Sequence, residues 1–343
     1  MPVVTNQAAS HLGSRPLRIV VMGTGPFAVP MFRALAASPH EVVAVVTRPD
    51  HAAPGRRPPP NPMRQAAAAA RVAVVDPEQV NAPETVAILR GFAADLFVVC
   101  DYGQLLSAEV LGIPPLGGIN LHGSLLPRHR GAAPIQWAIL AGDATTGVSV
   151  IGMTPALDAG NVIAVRETPI GPRETAADLE PRLADLGVDA VLDALERLQA
   201  AAAVGESPDR VGIPQEPAKA TRAPRLSKAS GLIDWSQPAF HSERMRRALE
   251  PWPRVMTFYE RADGTRQRLV LADVAVASDP ARPEAEPGTV LATEESPAPG
   301  RIVVACGGGT LLAIRQLVPE GKRPMTAAEF LRGSPLRPGS RLG

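Results

Sequence analysis

Residues 17–47 decide the fold, and they read LRIVVMGTGPFAVPMFRALAASPHEVVAVVT. The β-branched run at 17–22 is typical of a buried strand, and the glycine turn GTGP at 23–26 ends it. Apolar residues then recur at helical spacing as far as Leu35, and a second apolar run follows at 41–47. A strand, a glycine turn, a helix and a second continuous apolar strand predict a βαβ unit in a buried parallel sheet.

The alternation of strands and helices continues to about residue 204, interrupted by a basic, proline-rich loop at 48–64. Strand and helix runs follow one another as helix 62–70, strand 72–75, helix 83–91, strand 96–100, strand 118–122 and amphipathic helix 176–198. We therefore predict an α/β domain over 17–204, built on a Rossmann-like, doubly wound parallel sheet. Residues 1–16 are polar and without a period, so they predict a disordered extension.

The chain changes character after this domain. Residues 205–224 are rich in proline and aperiodic, which predicts an interdomain linker. Beyond them, short strand-like runs are separated by Gly and Pro turns, at 268–271, 288–292, 302–305 and 311–314. Residues 225–343 are therefore expected to form a small, OB-like β-barrel.

Composition sets limits on the class of protein. The 343 residues include 37 Pro and 30 Gly, which together stay below the roughly 25–30% typical of low-complexity disorder. The formal net charge is +1, which argues against a surface that binds polyanions everywhere but leaves room for a local basic patch. Cys100 and Cys306 lack zinc-ligand spacing and predict buried, reduced thiols, with no disulfide and no metal site. No apolar run approaches the ~18 residues of a membrane span, so we expect a cytoplasmic protein.

The glycine turn suggests one enzymatic hypothesis. Residues 23–28 match G-x-G-x-x-A after a strand, a pattern that lets a dinucleotide pyrophosphate approach a helix N-terminus. Pro26 removes one of the amide donors that the phosphate would use, and the second strand ends in TRPD with only a partial match to the expected acid. A tight structural turn is therefore favoured over a nicotinamide site.

A richer combination of polar residues lies at 117–160. Asn120 and His122 are two residues apart in a strand, so both side chains point to one side, and Asp158 lies in a Leu-Asp-Ala-Gly turn able to fold back towards them. A carboxamide can stabilise an oxyanion, a histidine can move a proton near neutral pH, and a carboxylate can orient the ring. Without an activated Ser or Cys, this set favours acyl transfer to an amine. Taken singly, each residue also fits a structural role, as a core histidine, a strand-end cap or a turn former.

The wider pattern resembles the methionyl-tRNA formyltransferase family. It includes N-x-H-x-S-L-L-P-R-x-R-G-A-A-P-I-Q at 120–136, A-G-D at 141–143 and L-D-x-G at 157–160. The C-terminal part adds L-S-K at 226–228, I-D-W-S at 233–236, P-W-P at 251–253 and G-K-R-P-M at 321–325. The resemblance covers about residues 17–343, which is far more specific than any single motif.

The resemblance implies formyl transfer from 10-formyltetrahydrofolate, as the formyl-donor co-substrate, to the amino group of methionyl initiator tRNA. It implies that Asn120 polarises the formyl oxygen and that His122 and Asp158 manage proton and charge. The implied folate contacts are Ser124, Leu125, Leu126, Pro127, Gln104, Leu105 and Leu106, the last three through backbone contacts to the pterin. No metal is implied, and the glycine turn becomes structural.

The basic loop is the implied tRNA contact, through Arg56, Arg57 and Arg64. Unlike the family's usual loop it contains no lysine, and its prolines are expected to stiffen it. Two further departures are Asp101, where the family usually has a small apolar residue, and Thr154 with Asn161, which replace acids near Asp158. We expect a monomer without membrane association.

Two other functions remain open at this point. A sugar-nucleotide N-formyltransferase shares the Asn-x-His and Leu-Asp-x-Gly patterns, although the arginine loop and GKRPM favour tRNA. A non-catalytic RNA-binding module would explain the basic patches but not an intact Asn/His/Asp set.

Overall fold

The computed structural model describes residues 15–50, 61–261, 264–278, 284–292, 300–333 and 336–343. Most of the predicted extension 1–16 lies outside these residues. The described chain divides into two units. The first contains the residues up to Pro134 together with Ala144–Pro169 and Leu179–Pro224, and the second contains Ile135–Asp143, Ile170–Asp178 and Arg225–Gly343.

The strands are β1 (Arg18–Gly23), β2 (Glu41–Val46), β3 (Ala73–Val75), β4 (Leu96–Cys100), β5 (Gly118–His122), β6 (Thr145–Gly152), β7 (Val162–Pro169), β8 (Met256–Glu260), β9 (Arg266–Val276), β10 (Val290–Ala292), β11 (Ile302–Ala305), β12 (Leu311–Pro319) and β13 (Met325–Thr326). The helices are α1 (Val29–Ala37), α2 (Pro62–Ala69), α3 (Pro83–Gly91), α4 (Ala108–Leu111), α5 (Pro134–Ala141), α6 (Ala176–Ala203), α7 (Ala239–Ala248) and α8 (Ala327–Gly333).

The sheet of the first unit has, among the described residues, the strand order β3-β2-β1-β4-β5-β6-β7. The strands from β3 to β5 are parallel, and the β-branched runs of the central strands β1 and β4 are buried, as expected for a sheet covered on both faces. This arrangement confirms the predicted Rossmann-like class. The sheet is not parallel throughout, however, because β6 pairs antiparallel with both β5 and β7.

The second unit is an antiparallel sheet in the order β10-β11-β12-β9-β8, with β13 paired to β12. The last residues of the chain connect its two edges: Leu342 forms a bridge with Tyr259 of β8, and Arg341 forms one with Thr289 beside β10. Pairing both edges with one segment curls the sheet towards closure, which removes exposed strand edges. The predicted small β-barrel is thereby confirmed.

Two general properties follow from the elements. The strands β9 and β12 are longer than the runs predicted at 268–271 and 311–314, because polar positions inside them alternate with buried ones. In the described part of the chain, no helix is both long enough and apolar enough to cross a membrane.

Candidate active site

The parallel strands β4 and β5 bring the polar residues of the predicted site to one edge of the sheet. Val99 pairs with Asn120, so the ends of β4 and β5 lie side by side. Asn120 and His122 fall two residues apart on β5, on the same face. Asn120 is partly exposed, and its carboxamide has no hydrogen-bond partner among the residues that the structure describes. Its N–H groups are therefore available to a substrate oxygen.

His122 is held in one tautomer by the chain itself. Its side chain is buried, and Nε2 lies 2.9 Å from the carbonyl oxygen of His129. Because a carbonyl only accepts, Nε2 carries the proton and Nδ1 is left with a free lone pair. Nδ1 faces Oδ2 of Asp158 at 3.8 Å.

Burial lowers the pKa of the His122 imidazole below its ordinary value, and the nearby Asp158 carboxylate offsets only part of that effect. The ring is therefore neutral near pH 7 and can accept a proton at Nδ1. Once it is protonated, the charge of Asp158 stabilises the imidazolium, because the pair lies in a water-poor site.

Asp158 is positioned by the loop that also supplies the His129 carbonyl. Its Oδ2 accepts a hydrogen bond of 2.8 Å from the backbone N–H of Gly131, and its own backbone has a positive φ of 49°. The following Gly160 is required for the turn, because a Cβ there would lie 1.7 Å from the carbonyl oxygen of Gly152. The carboxylate is thus fixed by backbone geometry rather than by a second charge.

The 129–131 loop is in turn paired with residues 221–223. The backbone N–H of His129 donates to Oγ1 of Thr221 at 2.8 Å, and the backbones of Arg130 and Ala223 pair through a 2.7 Å hydrogen bond. Gly131 has φ 132°, and a Cβ on it would lie 2.4 Å from the Ala223 carbonyl oxygen. Only glycine fits this approach.

Gln215 connects the two loops of the site. Its Nε2 donates to the carbonyl oxygens of Asp158 at 2.9 Å and Gly160 at 2.8 Å. Its Oε1 accepts from Nε and an Nη of Arg130 at 3.1 and 2.6 Å. Residues 205–224, predicted to be an interdomain linker, therefore contribute a side chain that ties the Asp158 turn to the 129–131 loop. No local sequence signal singles out this glutamine.

Hydrogen bonds fix the segment 124–127 beside the predicted catalytic residues. Ser124 is buried, and its Oγ donates to the Arg128 carbonyl oxygen at 2.7 Å. Ser149 of β6 donates to the Ser124 carbonyl oxygen at 2.8 Å and accepts from the N–H of Leu126 at 3.1 Å. Leu125 lies over Gly147, where a Cβ would be 2.7 Å from its Cδ2. The segment therefore has a set shape beside β5.

The loop after β4 contains the other predicted folate residues. The Gln104 side chain holds a neighbouring loop, accepting from the N–H of Val80 at 2.9 Å and donating to the Pro77 carbonyl oxygen at 3.1 Å. Leu105 is 69% exposed, whereas Leu106 is buried. This loop lies one strand away from Asn120, and of its three predicted contacts Leu105 offers the most accessible surface.

Asp101 marks the glycine turn as unsuited to a pyrophosphate. Its carbonyl accepts from the N–H of Thr24, and its carboxylate lies so close to Gly25 that a Cβ there would be 1.9 Å from Oδ2. A negative charge at this turn repels a phosphate. Burial, with a smaller contribution from Asp101, also raises the pKa of the Glu180 carboxyl.

Of the three predicted tRNA contacts, the structure describes Arg64 alone. Arg56 and Arg57 lie outside the described residues. Arg64, in α2, forms ion pairs with Asp50 at 3.0 Å and with Asp76 at 2.7 Å. Its guanidinium is committed to these two carboxylates, so Arg64 anchors the base of the basic loop. In the described parts of the chain, no three side chains of His, Cys, Asp or Glu are grouped closely enough to hold a metal ion.

Known proteins match the chain over both of its units. A family model described as formyl transferase matches residues 17–195, and one described as formyl transferase, C-terminal domain, matches 225–335. A methionyl-tRNA formyltransferase of Rhodopirellula baltica is 42% identical over 332 residues, which are 95% of this chain and 96% of that protein. One of Symbiobacterium thermophilum is 41% identical over 327 residues, which are 95% of each chain.

Solved structures agree in fold. HypX from Aquifex aeolicus in complex with tetrahydrofolic acid matches with a TM-score of 0.57 at 17% identity, covering 95% of this chain and 50% of its own. The sugar 3N-formyl transferase WlaRD, determined with dTDP and 5-N-formyl-THF, matches with a TM-score of 0.57 at 14% identity, covering 90% and 100%. At such identities the likeness concerns the fold alone, and this chain spans half the length of HypX.

Proposed function

The chain belongs to the methionyl-tRNA formyltransferase family, and we propose that it transfers the formyl group of 10-formyltetrahydrofolate to the α-amino group of methionyl initiator tRNA. We further propose that residues 17–204 form the catalytic domain and that 225–343 contact the tRNA. We also propose that the protein is a monomer. The cytoplasm, where tRNA is charged and used, is the proposed location.

The observation that carries this proposal is the unprotonated Nδ1 of His122, held between a fixed Nε2–H and the Asp158 carboxylate. The reaction forms a bond between the methionyl nitrogen and the formyl carbon and breaks the bond between that carbon and N10 of the folate. Asn120 donates to the formyl oxygen as negative charge develops on it. This assignment fits the chain, because the carboxamide has no protein partner in the described residues.

His122 accepts the proton that the attacking nitrogen must lose, at Nδ1. Asp158 stabilises the resulting imidazolium, and the proton then passes to N10 as the folate leaves. The fixed backbone at Ser124, Leu125, Leu126 and Pro127 is proposed to hold the folate beside Asn120. Gln104, Leu105 and Leu106 are proposed to contact the pterin.

One assay tests the substrate. The protein is given 10-formyltetrahydrofolate with methionyl initiator tRNA, methionyl elongator tRNA or an amino-sugar nucleotide, and formyl incorporation is measured. We expect selective incorporation into the initiator tRNA. Selective incorporation into the sugar nucleotide would overturn the assignment in favour of a sugar-nucleotide N-formyltransferase.

A variant tests the chemistry. His122→Ala is expected to abolish formylation while tRNA binding is retained, because the proposed role of the buried side chain is to move a proton. A variant with full formylation would contradict the proposed role of His122. If the native protein binds RNA but formylates none of the offered substrates, it is instead a non-catalytic RNA-binding module.

The basic loop is proposed to bind the tRNA through Arg56, Arg57 and Arg64, the last of which also pairs with Asp50 and Asp76. Changing Arg56 and Arg57 to Ala is expected to raise the KM for tRNA while leaving the KM for the folate nearly unchanged. The effect should shrink at higher salt, because phosphate contacts release counterions. Identical tRNA kinetics in the variant and the native protein at low salt would remove the loop from the binding site.

A further inference from the structure

The second unit contains a basic cavity that the formyl-transfer chemistry does not use. It measures about 280 Å³ and lies between α7, the end of β9, the middle of β12 and the segment before α6. Its charged lining is Arg173, Glu243, Arg246, Arg247, Asp273 and Arg315. The rest of its wall is the apolar stretch 274–276 of β9. The cavity thus combines one apolar wall with several guanidinium groups.

The acids do not balance the arginines of this cavity. Glu243 is committed to Arg247, with Oε1 2.7 Å from Nε in an ion pair within α7. This leaves the guanidinium groups of Arg173, Arg246 and Arg315 beside the carboxylate of Asp273, and none of these three has a salt bridge in the described residues. The Asp178 carboxylate, outside the lining, interacts electrostatically with Arg246. The remaining excess of positive charge in one concave site attracts an anion.

Two irregularities in the sheet shape the cavity. The pairing of β9 and β12 shifts between Ile314 and Gln316, so that Arg315 is an extra residue, and it shifts again beside Ala272. Such bulges redirect a side chain at functional sites. The carbonyl oxygen of Ala272, released from the regular ladder, accepts from Nε of Arg246 at 3.0 Å. The irregularity at Arg315 therefore takes this residue out of the regular strand pairing, and the irregularity at Ala272 provides the carbonyl oxygen that orients Arg246.

We propose that this cavity is a binding site for a phosphate ester. Guanidinium groups match the oxygens of a phosphate in paired hydrogen bonds, and the apolar wall at 274–276 suits the organic part of the ester. The volume is at the lower end for small-molecule sites, so it suits one nucleotide unit rather than a large cofactor. The apolar wall favours a free nucleotide over a phosphodiester of the tRNA backbone, whose contacts are with the phosphate alone.

Direct binding tests the proposal, and because it does not use formyl transfer it is separate from the proposed function. The full chain is titrated with adenosine 5′-monophosphate, with adenosine as the phosphate-free control, and with deacylated initiator tRNA over a range of salt. The double variant R173Q/R315Q changes two exposed side chains. The matched control R332Q/R337Q removes two exposed charges from the same unit but outside the cavity.

For a free nucleotide, R173Q/R315Q is expected to weaken adenosine 5′-monophosphate at least about tenfold, while R332Q/R337Q leaves its affinity unchanged. D273N is expected to tighten adenosine 5′-monophosphate, because it removes an acid of the lining that has no salt bridge in the described residues. If the cavity instead contacts the tRNA backbone, R173Q/R315Q lowers the slope of log K against log salt for tRNA by about two and leaves the nucleotide affinity unchanged, which overturns the proposal. It is likewise overturned if adenosine 5′-monophosphate does not distinguish R173Q/R315Q from R332Q/R337Q in proteins with native unfolding temperatures.

Discussion

Replacing Gln215 by alanine is expected to slow formyl transfer much more than it weakens substrate binding. The glutamine makes four hydrogen bonds, two to the carbonyl oxygens of Asp158 and Gly160 and two to the guanidinium of Arg130. The side chain is partly buried, so each bond is taken at the low end of its usual range, which gives about 2–3 kcal/mol in total. If that energy serves to position the transition state, kcat falls by about 30- to 150-fold.

The pH dependence separates positioning from a merely structural role. The charge of Asp158 supports the pKa of His122, which burial lowers. When Gln215 no longer holds the Asp158 turn, that support weakens, and the acid limb of kcat is expected to move to lower pH. The assay is kcat and both KM values against pH, beside thermal unfolding. Gln199→Ala is the control, because this side chain lies elsewhere in the first unit, where it donates to the Arg15 carbonyl oxygen.

A second substitution distinguishes the contacts made by the carboxamide oxygen of Gln215 from those made by its N–H groups. Q215E keeps an oxygen for Arg130 but loses the N–H groups that reach Asp158 and Gly160. If the contacts to the turn matter, Q215E is as slow as Q215A despite its stronger pairing with Arg130. The reasoning fails if Q215A lowers the unfolding temperature while kcat and its pH profile stay as in the native protein, or if Q215E has full activity.

Three further changes test the site. Asn120→Ala is expected to lower kcat by about 10²–10³-fold with little change in the KM for the folate, because only the charge developing on the formyl oxygen loses its donor; a change in KM alone would contradict this. Asp158→Asn is expected to lower the pKa of His122, so kcat falls and the acid limb of the pH–rate profile moves to lower pH. An unchanged profile would show that Asp158 does not influence the protonation of His122. Gly131→Ala is expected to cost about 1–3 kcal/mol in thermal unfolding, because its φ is positive, whereas Gly91→Ala, with open space around it, costs little; equal effects would contradict the strain.

The local hydrophobic pattern was sufficient to predict the parallel strands β1 and β2 of the first unit. The runs at 17–22 and 41–47 became β1 and β2 within one residue at each end, because a continuous β-branched strand beside a glycine turn has few alternatives. The antiparallel strands β6 and β7 were not predicted. Their order in the sheet depends on pairing across a long connection, which hydrophobic periodicity does not encode.

The basic loop shows the limit of reading charge from sequence. A run of arginines among prolines predicts an exposed, RNA-facing segment, and Arg64 was assigned to it. In the structure Asp50 and Asp76, 14 and 12 residues away along the chain, both reach its guanidinium. Sequence spacing of this size carries no information on pairing, so an arginine that anchors a loop cannot be told from one that extends out of it.

The residues proposed for catalysis were easier to predict from the sequence than the residues proposed to orient them. Asn120 and His122 are two apart on one strand, so their common direction follows from strand geometry alone. Asp158 and Gln215 reach the site from irregular segments of the chain, and the prolines around Gln215 are typical of a linker. Functional residues on a strand or helix follow the period of that element, so the sequence pattern predicts their common direction. Residues in irregular segments follow no such period. Positioning residues of this enzyme are therefore to be sought in the segments that sequence analysis assigns to linkers.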